Sequence, residues 1–102
     1  MFVFAIARGV NRGWLSPAWA PAAQAGWRAV ARRVRTDGQI EGICVGTTVA
    51  YDAVYDFNRP TERGAMQGYG ATLMAGAETI TMLRSFDVER KLNTFCYRTK
   101  RP

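Results

Sequence analysis

The sequence predicts an all-α chain whose elements follow the order helix, helix, long loop, helix. Apolar residues recur at helical spacing in three stretches, whereas residues 46–70 are rich in glycine, proline and aromatic residues without a sustained period. The length of 102 residues allows one domain at most, and 48% hydrophobic against 22% charged residues is a globular composition. Each helix has an apolar stripe that the other two can cover only in part, which indicates an excerpt of a larger helical architecture.

The first predicted helix lies close to the N-terminus. Gly13 stands where a left-handed residue commonly ends a helix. The apolar run before Arg8 has no basic residue in front of it and is too short for a secretory signal, so we expect a cytoplasmic protein. The apolar stripe of this helix, at i, i+3, i+4 and i+7, consists of Val3, Ile6, Ala7 and Val10.

The second predicted helix has a clear start signal, because Ser16 is a good N-cap and Pro17 suits the first helical position. Pro21 is less favourable inside a helix, so the regular part is expected to begin around it. The apolar stripe consists of Ala23, Trp27, Val30, Ala31 and Val34. The polar side of the helix consists of Gln24, Arg28, Arg32 and Arg35. This basic row is either a solvated face, on which the aliphatic parts of the arginine side chains cover apolar surface, or a binding patch for a polyanion.

The segment after the second helix is predicted to be a turn followed by a long structured loop. Asp37-Gly38 is a turn signal, and Ile40 and residues 43–45 are at most short extended pieces. Residues 46–70 form the loop, and long ordered loops in compact domains often carry function.

The third predicted helix has Leu73, Ala77 and Ile80 on its apolar side and ends near Phe86. Small residues, which allow a second helix to approach closely, flank this stripe at Ala71, Ala75 and Gly76. Residues 87–102 have weak amphipathic character and hold half of the net charge of +6. We therefore expect residues 1–86 to be the helical domain and residues 87–102 a basic tail of unknown role, without a recognisable nucleic-acid module.

The residue inventory excludes several chemistries. The chain has no histidine, so histidine-dependent triads and Cys/His zinc sites are impossible, and Cys44 and Cys96 are expected to be free thiols. The glycines at Gly68 and Gly70 fit neither a dinucleotide loop nor a P-loop. We predict no metal and no cofactor. Four carboxylates are candidates for acid–base catalysis. Asp37 is assigned to the turn, and Asp52 and Asp56 are assigned to hydrogen bonds within the loop. Glu78 is either a buried anchor or a surface charge.

The aromatic and polar residues around the loop suit a carbohydrate that carries a carboxylate. Flat rings, hydroxyls, amides and one arginine occur together in this stretch. The alternative is a loop held in place by its own aromatic residues. The residues concerned are Tyr51, Tyr55, Phe57 and Tyr69, with Thr47, Thr48, Asn58, Arg59 and Gln67.

Residues 40–78, IEGICVGTTVAYDAVYDFNRPTERGAMQGYGATLMAGAE, resemble the C-terminal part of glycoside hydrolase families 88 and 105. The upstream stretches FVFAIARGVNRGWL, AGWRAV and DGQIEGICVGT resemble the same families in the same order, so that the likeness covers about residues 1–84. These families are the unsaturated glucuronyl and unsaturated rhamnogalacturonyl hydrolases. The resemblance implies the C-terminal fragment of an (α/α)6 barrel, six helical pairs around a central pocket.

The resemblance also implies a substrate and a site. Such enzymes remove a 4,5-unsaturated uronic acid from oligosaccharides of pectin or glycosaminoglycan origin, by protonation and hydration of the vinyl ether, without a cofactor. The implied substrate-binding residues are Gly46 and Thr47 in the loop and Gln67 with Tyr69 before the third helix. Gln67 stands where the families usually have a histidine, and it cannot carry a proton near neutral pH.

The catalytic aspartate of these families belongs to earlier helices, so no catalytic residue is predicted in this chain. We expect a fragment that is inactive alone, with an unsaturated oligosaccharide as ligand, no nucleic acid and no membrane as partner, and the N-terminal part of the barrel as a possible protein partner. The alternative is a small non-enzymatic helical protein with a binding or structural role.

Overall fold

A computed structural model describes residues 1–44, 52–58, 61–62 and 66–100. The described chain is mostly helical, as the sequence predicts, and it adds short strands. The helices are α1 (Phe2–Asn11), a 3-10 turn (Pro17–Trp19), α2 (Ala20–Ala31), α3 (Ala53–Phe57) and α4 (Met66–Ser85). The strands are β1 (Ile43–Cys44), β2 (Thr61–Glu62), β3 (Phe86–Lys91) and β4 (Thr94–Thr99).

The first helix forms where the apolar stripe predicts it and turns sharply after its last residue. Ala7 and Val10 of that stripe are buried. Gly13 has φ of +75°, the left-handed conformation that glycine adopts without a steric penalty. The amides of Trp14 and Leu15 then donate to the carbonyl of Gly9 at 2.8 and 3.0 Å, which directs the chain back towards α2.

The second helix begins through the predicted capping residues. The Ser16 hydroxyl accepts a hydrogen bond from the Ala18 amide at 3.2 Å, and Pro17 opens the 3-10 turn that leads into α2. The α-helix begins at Ala20, next to Pro21, as predicted. It ends at Ala31, so Val34 lies beyond the helix and forms an isolated bridge with Ile40 instead.

The predicted turn at residues 37–38 is confirmed. The Asp37 carboxylate accepts a hydrogen bond from the Gln39 amide at 3.0 Å, and Gly38 has φ of +84°. The extended piece after it, β1, pairs antiparallel with β2, with Ile43 opposite Glu62.

The predicted loop over residues 46–70 is too long at its C-terminal end. Helix α4 already begins at Met66, so Gly68 and Gly70 lie inside a 20-residue helix and not in a loop. Positive φ values among the described glycines occur at positions 13, 38 and 42. Gly68 therefore serves close packing: a Cβ there would fall on the side chain of Ile43. The helix ends at Ser85, close to the predicted Phe86.

The all-α description is incomplete, because most of the segment after residue 86, whose role stays open, forms two paired strands. Strands β3 and β4 pair antiparallel as a hairpin, with Val88 opposite Tyr97. Phe86 and Tyr97 are buried and belong to the same core as the helices. In β4 the half-buried Phe95 and the buried Tyr97 are two positions apart, the period-2 pattern of a strand that a search for helical periodicity misses.

The core lies where α1, α2, α4 and the hairpin meet. The radius of gyration is 16.0 Å, against about 13 Å for a compact domain of about 100 residues. Large apolar side chains outside the core stay exposed, among them Phe2, Trp14, Phe57, Met66, Leu73, Ile80 and Leu92. The apolar core residues that are buried are Ala7, Val10, Ala20, Ala23, Met82, Phe86 and Tyr97.

Candidate functional site

The predicted substrate-binding residues fall into two groups. Gly46 and Thr47 lie outside the described residues. Gln67 and Tyr69 lie in the first turn of α4, where Gln67 is exposed and Tyr69 is half-buried. Two positions along a helix correspond to a rotation of about 200°, so these two side chains leave α4 on different sides. Their binding role stays a prediction.

The first turn of α4 packs directly against β1. Gly68 has no side chain, and Ile43 occupies the space that a Cβ would need. A bulkier residue at this point would displace β1. The glycine thus lets the first turn of α4 lie directly against β1.

Two of the four carboxylates have the local structural roles that the sequence predicts. The Asp37 carboxylate accepts from the Gln39 amide within its turn and lies 3.6 Å from the Arg35 guanidinium. The Asp52 carboxylate accepts from the Val54 amide at 3.0 Å and is the N-cap of α3. The side chain of Asp56 lies outside the described part of the structure. Both hydrogen bonds are local and support a turn or a helix start.

Glu78 is a partly buried anchor between two helices and not a free surface charge. Its side chain is 19% exposed, and one carboxylate oxygen lies 3.1 Å from the Arg8 guanidinium. The Asn11 amide nitrogen donates to the other carboxylate oxygen at 2.8 Å and to the Glu78 backbone carbonyl at 2.9 Å. The Asn11 side-chain oxygen is buried without a hydrogen-bond partner in the described structure. With both oxygens engaged, Glu78 joins α1 to α4.

Arg8 and Asn11 were not predicted to be the partners of Glu78. The available signal was their i, i+3 spacing, which places them together beside the apolar stripe of α1. Long-range pairing across 67 and 70 residues leaves no mark in local periodicity. We refer to Arg8, Asn11 and Glu78 as the polar cluster.

An apolar groove of about 580 Å³ runs between α2 and α4 on the side away from α1. At its floor, a Cβ on Gly76 would lie 2.9 Å from Cη2 of Trp27, so the missing side chain lets the two helices approach closely. Leu73 and Ile80 on the α4 wall are 74% and 51% exposed. Tyr69 precedes Leu73 by one helical turn and so continues the same row of α4. The lining residues are Trp27, Ala31, Val34, Thr72, Leu73, Gly76, Ala77 and Ile80.

Arginines on the basic side of α2 make contacts within the chain itself. The Arg28 guanidinium lies over the Phe95 ring at 5.9 Å, and the Arg35 guanidinium lies 3.1 Å from Glu41. Both contacts are intramolecular, which accounts for two members of the row without a polyanion.

Among the residues that the structure describes, no group of three or more cysteine, aspartate or glutamate side chains could hold a metal ion. Cys96 is a half-buried free thiol in β4, whereas the side chain of Cys44 lies outside the described set. Within the same described ranges, no helix combines the length and hydropathy that crossing a membrane requires.

Comparison with protein-family models matches residues 1–83 to Glycosyl Hydrolase Family 88. A comparison with curated protein sequences finds no match. The family match covers α1, α2 and nearly all of α4, together with the segment that connects them, and it stops two residues before the last residue of α4. The hairpin lies outside it. On this match the chain belongs to glycoside hydrolase family 88.

Proposed function

We propose that this chain is the C-terminal part of an (α/α)6 barrel that hydrolyses oligosaccharides ending in a 4,5-unsaturated uronic acid. The observation that carries the proposal is the family match over residues 1–83. A carbohydrate substrate follows from the family. The unsaturated uronyl end is supported by the resemblance of residues 40–78 to hydrolases that act on such sugars.

The uncovered apolar side of the helices supports a barrel that continues beyond these helices. In an (α/α)6 barrel every helix pair packs against neighbours on two sides, whereas here α4 is covered by α1 and α2 on one side only. Side chains such as Leu73 and Met66, 74% and 86% exposed, are the kind of surface that a neighbouring helix pair would cover.

The proposed role of the chain is to line the sugar pocket. Gly46 and Thr47 would contact the sugar from the loop, and Gln67 would donate its amide to a hydroxyl from the exposed start of α4. Tyr69 offers a ring and a phenol from the groove side of the same turn. We assign the proton for the vinyl ether to an acid in the earlier barrel helices, where the resemblance places the catalytic aspartate; the structural contacts of Asp37, Asp52 and Glu78 are consistent with this assignment.

The reaction that we propose is a hydration. A carboxylic acid protonates the double bond of the unsaturated uronic acid, water adds to the resulting cation, and the hemiketal opens to release the sugar. We also propose a cytoplasmic location, which the free thiol of Cys96 supports.

The test is an assay of the purified chain on an unsaturated disaccharide, in which hydration of the double bond removes its ultraviolet absorbance. We expect no turnover by the chain alone. Turnover is expected after addition of a polypeptide encoded upstream, in the same or a shifted reading frame, that supplies the earlier barrel helices. Robust turnover by the chain alone would show that the placement of the acid is wrong.

Variants of α4 test the pocket-lining role in the reconstituted enzyme. Gln67→Ala and Tyr69→Ala are expected to lower kcat/KM by about tenfold or more, which corresponds to about 1.4 kcal/mol of lost transition-state binding. The matched control is Met66→Ala, an exposed neighbour in the same turn without polar groups. Equal kcat/KM values for all three variants would remove Gln67 and Tyr69 from the site.

A second candidate function is a small non-enzymatic helical protein. One observation favours it: the hairpin outside the family match contributes Phe86 and Tyr97 to the core and so gives the helices a cover of their own. If no upstream sequence encodes barrel helices and the chain shows no activity with any added segment, this candidate replaces the enzyme.

A further inference from the structure

We propose that the polar cluster is a positioning device, which fixes the axial register and the rotation of α4 against α1. It thereby sets the direction in which Gln67 leaves the first turn of α4. The inference rests on the proposed function in one respect, the sugar contact that it assigns to Gln67. Glu78 is the positioning residue at the centre of the cluster, since Arg8 and Asn11 both contact it.

Helices α1 and α4 run parallel, so their first turns lie at the same end of the molecule. The start of α1 lines a small cavity of about 200 Å³ together with Ala71 and Ala75 of α4. Further along both helices, Asn11 contacts Glu78. Because a helix is stiff over a few turns, a slide or a rotation of α4 at the level of Glu78 moves its first turn by the same amount.

One alignment of the two helices brings the cluster together. The polar side chains of α1 are Arg8 and Asn11, and the acidic side chain of α4 is Glu78. A slide of α4 by one residue along its own helix would move it by about 1.5 Å and turn it by about 100°. Ala77 or Thr79 would then face α1 in place of the carboxylate. A single polar residue specifies the register of a coiled coil for the same reason, since other alignments leave polar groups without partners.

The hydrogen bonds of Asn11 depend on the position of the α4 backbone itself. Its amide nitrogen donates to the Glu78 carboxylate at 2.8 Å and to the Glu78 backbone carbonyl at 2.9 Å. A carboxylate can follow a displaced helix by a change of rotamer, whereas a backbone carbonyl cannot. The amide oxygen is buried without a partner among the described residues, yet the reverse orientation would set that oxygen against two acceptors.

Arg8 holds the Glu78 carboxylate at its other oxygen. The guanidinium lies 3.1 Å from that oxygen and 5.6 Å from the centre of the Phe4 ring, which is one turn earlier in α1. The arginine is thus supported within its own helix while it contacts α4. Contacts from two residues of α1 to the two carboxylate oxygens restrain the rotation of α4 as well as its axial position.

Gln67 lies on the same row of α4 as Glu78. The two residues are eleven positions apart, which is about three helical turns and returns to within about 20° of the same direction. Gln67 therefore leaves α4 on the side of the polar cluster, about 16 Å closer to the start of the helix. A rotation of α4 at Glu78 would turn the Gln67 amide by the same angle.

The experiment measures the distance between two nitroxide labels in the full chain by double electron–electron resonance. The labels are attached through Arg12→Cys and Gln67→Cys, at exposed positions about 18 Å apart along the helix axes, after the native cysteines are replaced by serine. Glu78→Leu removes the acceptor atoms at similar volume, and Glu78→Gln keeps one acceptor oxygen. We expect Glu78→Leu to shift the distance by about 3 Å or more or to add a second distance, and Glu78→Gln to retain the original one.

The matched control is Val10→Ala. Val10 is buried in α1 next to Asn11, so its truncation weakens packing without removing a directional contact. Its label distance is expected to stay that of the unmodified chain, while circular dichroism shows the variants to be folded. Asn11→Leu removes the two hydrogen bonds of the amide and is expected to shift the distance as well, so it carries the test if Glu78→Leu does not fold.

Three results would overturn the inference: an unchanged distance in folded Glu78→Leu or Asn11→Leu, a shift in Val10→Ala as large as in Glu78→Leu, or a shift in Glu78→Gln as large as in Glu78→Leu. The readout is independent of sugar hydrolysis. If the distance stays unchanged and Gln67→Ala lowers kcat/KM of the reconstituted enzyme, the positioning role is wrong and the proposed function stands. If the distance shifts as expected and Gln67→Ala leaves kcat/KM unchanged, the cluster positions α4 and the proposed sugar contact of Gln67 is wrong.

Discussion

The two sides of α4 differ in what they contact. On the side that faces α1, Thr79 and Met82 are almost completely buried and the polar cluster fixes Glu78 to α1. On the side that forms the groove, Leu73 and Ile80 are as apolar as the buried residues but remain exposed. Helix α4 thus has apolar residues on two sides, and the described elements cover one of them more completely than the other.

The covered side depends on the hairpin as well as on the helices. Phe86 and Tyr97 close the core at the end where α4 stops, and the Tyr97 hydroxyl donates a hydrogen bond to the side-chain carbonyl of Gln24 on α2. Residues beyond the family match therefore stabilise residues within it.

Removal of the hairpin is the most severe way to test this contrast. A chain that ends at Ser85 is expected to lose cooperative unfolding and to bind a hydrophobic dye. The reason is that the part of the core formed by Ala20, Ala23 and the end of α4 becomes exposed without Phe86 and Tyr97. Thermal unfolding followed by circular dichroism is the measurement. The control is a chain that ends at Lys100 and retains both strands. A cooperative transition of the shorter chain would show that the helices fold without the hairpin.

The next largest effect is expected from Met82→Ala on the covered side. Met82 is fully buried, so its truncation leaves a cavity and should lower the free energy of unfolding by about 2–5 kcal/mol. Leu73→Ala on the groove side should change it by less than about 0.5 kcal/mol. Urea unfolding of the two variants compares the two sides directly, and similar losses would mean that the groove is covered in solution.

A smaller loss is expected from breaking the polar cluster. Glu78→Ala removes a carboxylate that accepts from Asn11 and pairs with Arg8, and should lower the free energy of unfolding by about 1–3 kcal/mol. Glu89→Ala removes the partner of Arg98 on the exposed face of the hairpin and should change it by at most about 1 kcal/mol. Equal losses in the free energy of unfolding for the two variants would show that partial burial does not strengthen the contacts of Glu78.

The contact between the hairpin and α2 should make stability depend on alkaline pH. Burial raises the pKa of the Tyr97 phenol above its ordinary 10.0, while the Arg28 guanidinium acts in the opposite direction. Below about pH 10 both states keep the proton and stability is unaffected; above it the unfolded chain ionises first, so the free energy of unfolding falls as pH rises. Tyr97→Phe should remove this part of the fall in urea unfolding between pH 9 and 11. If the free energy of unfolding of Tyr97→Phe falls with pH as steeply as that of the unmodified chain, other titratable groups cause the loss of stability.

The smallest predicted change is a gain. Gly70 lies inside α4 with free space around its Cα, so Gly70→Ala should raise the free energy of unfolding by about 0.5–1 kcal/mol. Gly13→Ala, also with free space but with φ of +75°, should lower it by about 1–2 kcal/mol. A loss at position 70 would show that this first turn of α4 is not a regular helix in solution.

Several local features followed from the sequence because their cause is local. The stripe of α1, the Ser16-Pro17 start, the Asp37-Gly38 turn and the end of α4 near Phe86 each depend on residues within one or two turns of each other. The family membership also followed, since it rests on the order of motifs over residues 1–83. The local hydrogen bond of Asp52 was predicted as well, whereas the short helix α3 that it caps was not.

Tertiary structure alone decided the rest. That Gly68 and Gly70 continue a helix, that Glu78 is anchored by α1 and that residues 86–99 form a hairpin depends on contacts between segments far apart in the chain. Glycine spacing and a single carboxylate allow several environments, and short alternating strands give a weaker local signal than a helical stripe. Periodicity shows which face of a helix is apolar, whereas only the packed structure shows which of those faces is already covered.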